Sequence, residues 1–409
     1  MSELPVRPDD LRALAALFEP GTAADPYPAY ARWRAERPVA RPRERLYVLS
    51  RFADCEGVLA DPAFGRAGDG EARPVPGRAG ARLAVGVNAR SMLRLNPPDH
   101  TRLRRLVSRA FTPARVRDLA PRVEALTAEL LAAARATDGR FDVITGLAQP
   151  LPVAVISELL GLPQAMRPRL VSWSDALARA LDPPFLVAEE ERERQRGARD
   201  DFAAYLRDLV PSRRRSPGGD LISAFIGVHD AGGPLTEDEL IGLCMLLLIA
   251  GHETTRSLIG AAVLALLRNP AELAVLTADP SLVGQAVEET LRYDPPVQML
   301  SRFALRPTEV SGVTVAGGSF VMMLVGAANR DEALGPDPER FSVRREARRH
   351  LAFGHGIHFC LGAPLARLEA GIALRQLLPQ LPRLRIAEEP VRRPNIVLRG
   401  LEHLWLERR

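Results

Sequence analysis

Lysine is absent from this chain of 409 residues: all 55 basic side chains are arginine. On a solvated surface the two cations are nearly equivalent, so the codon usage of a GC-rich genome explains the bias; only at bidentate sites do they differ. Cysteine is scarce. Cys55, Cys244 and Cys360 cannot build a disulfide framework and their spacing matches no zinc site, which points to a reducing, cytoplasmic setting. Long hydrophobic runs are missing too: the longest, Leu240 to Gly251, falls short of the about 20 residues that cross a bilayer. Met1 to Pro20 carries charges throughout and has no signal-peptide core. Neither sign of charge dominates. Against 50 acidic residues the net charge is only +5, too balanced for a dedicated nucleic-acid binder even at a pI of about 9.6. Aromatic residues make up 5%, which argues against a site built on aromatic stacking.

What is present is enough apolar material, 46% of the chain, for one sizeable core, and no repeat or low-complexity linker divides it. The expectation is a single domain over 1–409, with a β-richer part over about 1–98 and a helical core over about 99–295. Leu46 to Leu49 predicts a strand, and Ser50 is placed to cap a helix ending near Pro62. Residues 65–90, with six Gly and two Pro, predict a long irregular loop of the kind that often carries function. From Asp99 to Leu209 the pattern is helical, broken at Pro113, Pro121 and the Pro150–Pro152 pair. Glu189 to Arg199 reads as a solvated helix face and Arg213 to Arg215 as a surface loop.

The clearest element runs from Thr236 to Arg268, opened by a Thr236/Glu239 capping box and stopped by Asn269-Pro270. It is apolar nearly all round and so predicts a buried central helix of roughly 50 Å. Its dry middle holds Ala250-Gly251-His252-Glu253-Thr254-Thr255. An acid and two hydroxyls there are costly unless bonded or used. A second helix follows over about Ser281 to Tyr293, then a hairpin from Val310–Val315 and Phe320–Val325 around Gly317-Gly318, and an irregular stretch over 331–350.

Phe353-Gly354-His355-Gly356-Ile357-His358-Phe359-Cys360-Leu361-Gly362 precedes an apolar helix from Ala363 to about Leu378. A cysteine just before a helix N-terminus meets the positive end of the dipole and free N–H groups, and both favour thiolate. Gly356 and Gly362 would let the backbone turn and approach a flat ligand. The ordinary alternatives are an inert cysteine beside a glycine turn, or a zinc site, for which His355, His358 and Cys360 lack a fourth ligand.

The pattern Phe353, Gly356, His358, Cys360, Gly362 resembles the haem-thiolate signature of the cytochrome P450 family, and three more motifs agree with it in chain order. Glu289-Thr290-Leu291-Arg292 looks like the family's structural ion pair, with Arg340 as its third member. Ala250 to Thr255 looks like its oxygen-pocket element, which makes Thr254 the pocket hydroxyl, Glu253 the neighbouring acid, and Gly251 the residue that leaves space for oxygen. Asn96 to Arg104 looks like the helix whose His100 and Arg104 bind a haem propionate, joined by Arg302 and His358.

The resemblance implies a mainly α fold, a triangular helical prism with small β-sheets and a long central helix over the haem. It implies iron protoporphyrin IX (haem b) ligated by Cys360, O2 as co-substrate, and a hydrophobic small-molecule substrate, free or carrier-tethered. It further implies electrons from a separate ferredoxin and ferredoxin reductase, and a monomer with no nucleic-acid or membrane partner. Leu83 to Val87, the helix pair around Trp173 to Phe185, Leu246, Leu247, Ala250, Val297, Leu300 and Leu401 are expected to line the substrate pocket, with Gln298 its polar handle. Arg102, Arg105, Arg109, Arg344, Arg345, Arg348 and Arg349 are expected to form a basic docking face for the donor. The reaction implied is insertion of one oxygen atom into a C–H or C=C bond; oxidative coupling, ring closure or desaturation is the alternative, and a haem sensor without turnover a remoter one.

Overall fold

The computed structural model describes residues 4–66, 91–108, 111–135, 139–182, 187–231, 235–346 and 349–409. The expected substrate-loop residues Leu83 to Val87, with Phe185, Arg109 and Arg348, lie outside them. Helices dominate, with small sheets at the periphery. The prolines open helices rather than merely breaking them. Pro113–Asp118, Pro150–Leu159 and Pro270–Ala278 each start on a proline, where the missing N–H has no intrahelical partner to lose.

The central helix is Glu237–Arg268. Thr236 accepts from the Glu239 amide at 3.2 Å while the Glu239 carboxylate accepts from the Thr236 amide at 2.9 Å, closing the expected box. Asn269, preceding Pro270, leaves helical geometry (φ −124°, ψ 73°). Helices Pro150–Leu159, Arg167–Ala178, Val283–Tyr293 and Ala363–Leu377 pack around the rod, which puts most of its apolar side chains in one continuous core. Among the described residues no single helix is long and apolar enough to cross a membrane.

A five-stranded sheet runs in the order Val39–Arg43, Leu46–Leu49, Phe320–Leu324, Met299–Ala304, Phe64–Gly65. Leu46–Leu49 and Phe320–Leu324 pair in parallel, Leu46 opposite Phe320; the other pairings are antiparallel. Both faces are covered. Tyr47, Leu49, Val321 and Met323 join one apolar cluster, and Leu46, Val48, Met322 and Leu324 join another, as period-two alternation requires.

The expected hairpin is redrawn. Its strands are Thr308–Val310 and Val313–Val315, turned at Ser311 (φ 48°) and Gly312 (φ 76°), the positive-φ pair of a tight hairpin turn. Phe320–Leu324 leaves it for the larger sheet. The helix after Leu49 is Phe52–Ala60, and Ser50 does not cap it; the Phe52 amide donates instead to Asp331 at 2.7 Å. Arg213 to Arg215 form the last turn of the helix Glu189–Arg215, with its acids in the first turn, so both ends oppose the helix dipole.

Candidate functional site

Cys360 sits two residues before Gly362, which caps the helix Ala363–Leu377. The Cys360 amide donates to Phe353 O at 2.9 Å and folds the loop back on itself. Burial raises the thiol pKa, opposed by the Gly362 and Ala363 amides and by Arg104 and Arg367. A Cβ at Gly362 would lie 4.0 Å from the sulfur. Phe353 lies beneath the Arg367 guanidinium, 4.5 Å from the ring centre. Gly356 has a different task from close approach to a ligand. Its φ is +70°, and a Cβ there would stand 2.4 Å from Leu59 O, so it seats the loop on the helix Phe52–Ala60.

In the middle of the central helix Ala250 is exposed and Gly251 and Thr254 are half-buried, although His252, Glu253, Thr255 and Arg256 are buried. The Thr254 hydroxyl donates to Ala250 O at 2.6 Å and keeps its lone pairs as acceptors. Gly251 faces Ile156, whose side chain would lie 3.5 Å from an added Cβ, an ordinary van der Waals contact with the helix Pro150–Leu159. Glu253 lies in an ionic cluster that sequence reasoning missed. Arg393 Nη1 donates to it at 2.5 Å, Arg256 Nη1 stands at 3.5 Å, and both guanidiniums also reach Asp175, at 3.3 and 3.4 Å. Burial, then the neighbouring Glu253, pushes the Asp175 carboxyl up to about 6. His252, within 3.4 Å of Glu253, is held neutral by burial, at about 3. Three distant segments build this cluster, which is why no local motif announced it.

Around the cysteine loop the structure gathers His100, Arg104, Arg302 and His358. The rings of His100 and His358 are 4.2 Å apart. Burial and the surrounding guanidiniums lower His100 to about 4 and His358 to about 2, and burial lowers Arg302 to about 10. Both nitrogens of His100 and Nε2 of His358 are buried without a partner among the described residues. Arg66 and Arg94, which the motifs did not name, join the group. No ion pair among the described residues gives Arg66, Arg94, Arg104 or Arg302 a carboxylate partner. Orphaned buried donors and uncompensated cations call for an anion, and one with two carboxylate arms and an acceptor for thiolate meets both requirements. Haem fits the residues present, and the arrangement defines a haem-thiolate protein.

Comparison with known proteins gives the family. The Cytochrome P450 family model matches residues 71–279 and 278–382. The chain is 43% identical over 405 residues to the cytochrome P450 monooxygenase PikC of Streptomyces venezuelae, covering 97% of this chain and 93% of that one. It is 41% identical over 347 residues to the cyclomarin C epoxidase CymV of Salinispora arenicola, at 85% and 86% coverage. The ligand-free crystal structure of Mycobacterium smegmatis CYP164A2 superposes with a TM-score of 0.88 at 43% identity, covering 97% of this chain and 100% of that one. The chain belongs to the cytochrome P450 family and is a monooxygenase of the bacterial kind. The family implies haem-thiolate chemistry with O2, redox partners and hydrophobic substrates.

Several expected positions are corrected by the geometry. Glu289 and Arg292 form a fully buried pair at 2.8 Å, but Arg340 is not their third member: its exposed side chain reaches Glu272 at 3.4 Å. Arg345 takes that place, its Nε 3.1 Å from Glu289. Gln298 is no pocket handle. It is buried, donating to Pro295 O at 2.8 Å and to the Tyr27 hydroxyl at 3.4 Å. Leu401 is buried in the main core, while Leu246, Leu247, Val297 and Leu300 are half-buried. The basic docking face loses members as well: Arg102 binds Glu239 and Asp99, Arg345 binds Glu289, and Arg349 binds Glu56, leaving Arg105 and Arg344 exposed.

Proposed function

We propose that this P450 carries haem b and inserts one oxygen atom from O2 into a C–H or C=C bond of a hydrophobic natural product, within the cytoplasm and as a monomer, with electrons from a separate ferredoxin and ferredoxin reductase. One observation supports it above the rest: the Cys360 sulfur, met by helix N-terminal amides, adjoins a group of buried and half-buried cations that has no carboxylate partner among the described residues. Cys360 would be the axial ligand, and His100, Arg104, Arg302 and His358 would hold the propionates. When bound, the haem supplies the oxidation of the substrate by O2, with thiolate ligation favouring O–O cleavage.

The chain's own contribution is positional and protonic. Glu253, beneath Arg393 and Arg256, is the acid nearest the open face of the central helix in sequence, and the Thr254 hydroxyl beside it accepts and passes a proton. Asp175, sharing both guanidiniums and a third exposed, links Glu253 toward solvent. Leu246, Leu247, Val297 and Leu300 offer aliphatic surface, which suits a sizeable apolar substrate, free or carrier-tethered.

The test is a Soret titration of the ferric protein against macrolides, terpenoids, fatty acids and aromatic amino-acid derivatives, followed by turnover with any compound that gives a high-spin shift. A product heavier by one oxygen atom supports the reading. Coupled or desaturated product without added oxygen would replace it with the oxidase alternative, and no Soret band after reconstitution would remove the haem.

A further inference from the structure

We propose that Arg66 is a further anion-binding residue of the haem site, working with Arg302 as a two-guanidinium clamp on one propionate; the proposal rests on the haem reading above. Arg66 Nη1 and Arg302 Nη1 donate to the same acceptor, Ser301 O, at 3.2 and 2.9 Å. Two like charges on one neutral carbonyl, Arg302 buried and Arg66 half-buried, repel each other unless an anion compensates them. Arg66 Nε is buried and has no acceptor among the described residues. Burial, Arg302 and then Arg94 hold the Arg66 guanidinium well below its ordinary range, consistent with a charge lacking its counterion.

Its placement is built in. The Arg66 amide donates to Asn96 Oδ1 at 2.8 Å, and Asn96 Nδ2 donates back to Arg66 O at 3.0 Å. Asn96 belongs to the segment that leads into Asp99–Ser108, and its carbonyl accepts the His100 amide at 2.9 Å. Arg66 is thereby locked to the element that carries His100 and Arg104. The lock is tight: a Cβ at the preceding Gly65 would stand 2.6 Å from Asn96 Oδ1. A merely structural tie between the strands Phe64–Gly65 and Met299–Ala304 has no need of a cation. Phe64 already pairs with Ala304 and Gly65 with Phe303, and one neutral N–H would serve Ser301 O.

The experiment uses the holoenzyme with Arg66→Gln, which keeps an N–H and loses the charge, and Arg66→Lys, which keeps the charge and loses the fork. Haem transfer to excess apomyoglobin and the ferric/ferrous potential are read together, with the urea midpoint as a check on folding. Arg66→Gln should release haem roughly ten- to a hundredfold faster, as expected for one charge-assisted contact, and should lower the potential, with Arg66→Lys in between. Combined with Arg302→Gln, the two losses should be less than multiplicative, because each guanidinium serves the same carboxylate. Wild-type release and potential in Arg66→Gln would overturn the clamp, as would equal losses in the Gln and Lys variants. A wild-type protein without a Soret band would remove the haem reading instead, so the two failures are distinguishable.

Discussion

Replacing Arg345 should unfold this protein far more readily than replacing Arg340, five residues earlier. Glu289 is fully buried and accepts from Arg292 Nε at 2.8 Å, Arg292 Nη2 at 2.9 Å, the Ser342 amide at 2.9 Å and Arg345 Nε at 3.1 Å. Arg345 also donates to Pro336 O and Asp337 O at 2.8 Å and to Arg340 O at 2.7 Å. Arg345→Leu therefore removes one of two cations from a buried carboxylate that keeps Arg292; Asp337 O and Arg340 O retain the Arg340 amide and Arg292 as donors, so the cost is mainly the lost charged hydrogen bond, about 2–3 kcal/mol. Arg345→Lys keeps the charge but not the fork and should cost about half as much. Arg340 has a 67% exposed side chain and one contact, 3.4 Å to Glu272. A long pair whose cation is solvated, even against the buried Glu272, is worth about 1 kcal/mol. Urea denaturation followed by tryptophan fluorescence and circular dichroism gives the ranking directly. A loss in Arg340→Leu equal to that in Arg345→Leu would refute the assignment of Arg345 as the third member.

Gly356→Ala should lower stability by about 2–4 kcal/mol, because it combines a φ of +70° with a Cβ 2.4 Å from Leu59 O; thermal unfolding beside the control Gly371→Ala, which meets nothing within 4 Å, checks it. Asp175 binds its proton more tightly in the folded chain, at about 6, than an ordinary aspartate does at 3.8, so its contribution is present at low pH and lost as pH rises through 6. Asp175→Asn should thus gain on the wild type between pH 4 and pH 7, by about 1 kcal/mol because the side chain is partly exposed; urea midpoints at both pH values measure it, and a constant difference would refute it. Thr254→Ala should leave haem content unchanged while the fraction of NAD(P)H recovered as hydrogen peroxide rises severalfold; equal coupling would take Thr254 out of the proton path.

The elements that were legible in the sequence are those specified locally. The central helix carries its own start in Thr236 and Glu239, its own stop at Pro270, and a surface apolar nearly all round. The cysteine loop is legible because its residue types are spaced along one short segment. What escaped depends on where the backbone turns between elements. Arg340 and Arg345 occupy the same irregular stretch with no period to orient them, and Asp337, at φ 48°, belongs to the turn whose carbonyls Arg345 gathers. Both Ser311-Gly312 and Gly317-Gly318 carry turn chemistry. Only the first closes a hairpin; the second redirects the chain so that Phe320–Leu324 lies beside Leu46–Leu49, a pairing decided by residues almost three hundred positions apart. Gln298 stands just before the strand Met299–Ala304, and the Tyr27 hydroxyl that its amide meets lies in a segment no local pattern connects to it.

The all-arginine composition also divides once the donors are followed. Arg292 satisfies Glu289 with two nitrogens and reaches Asn329 O, Pro338 O and Arg340 O with the rest, a fork that lysine cannot reproduce. Codon usage explains the surface; geometry explains this position. Arg167, Arg192, Arg213 and Arg256 leave a buried Nε unmet, yet each has a carboxylate beside it. Arg66 has the unmet Nε without a carboxylate among the described residues, and its guanidinium neighbours Arg302 and Arg94 only deepen the imbalance. A half-buried cation that the fold anchors by its backbone, and to which the described residues offer no counterion, is placed for an anion from outside them. Charge, rather than sequence motif, is what separates it from the arginines that merely hold the chain together.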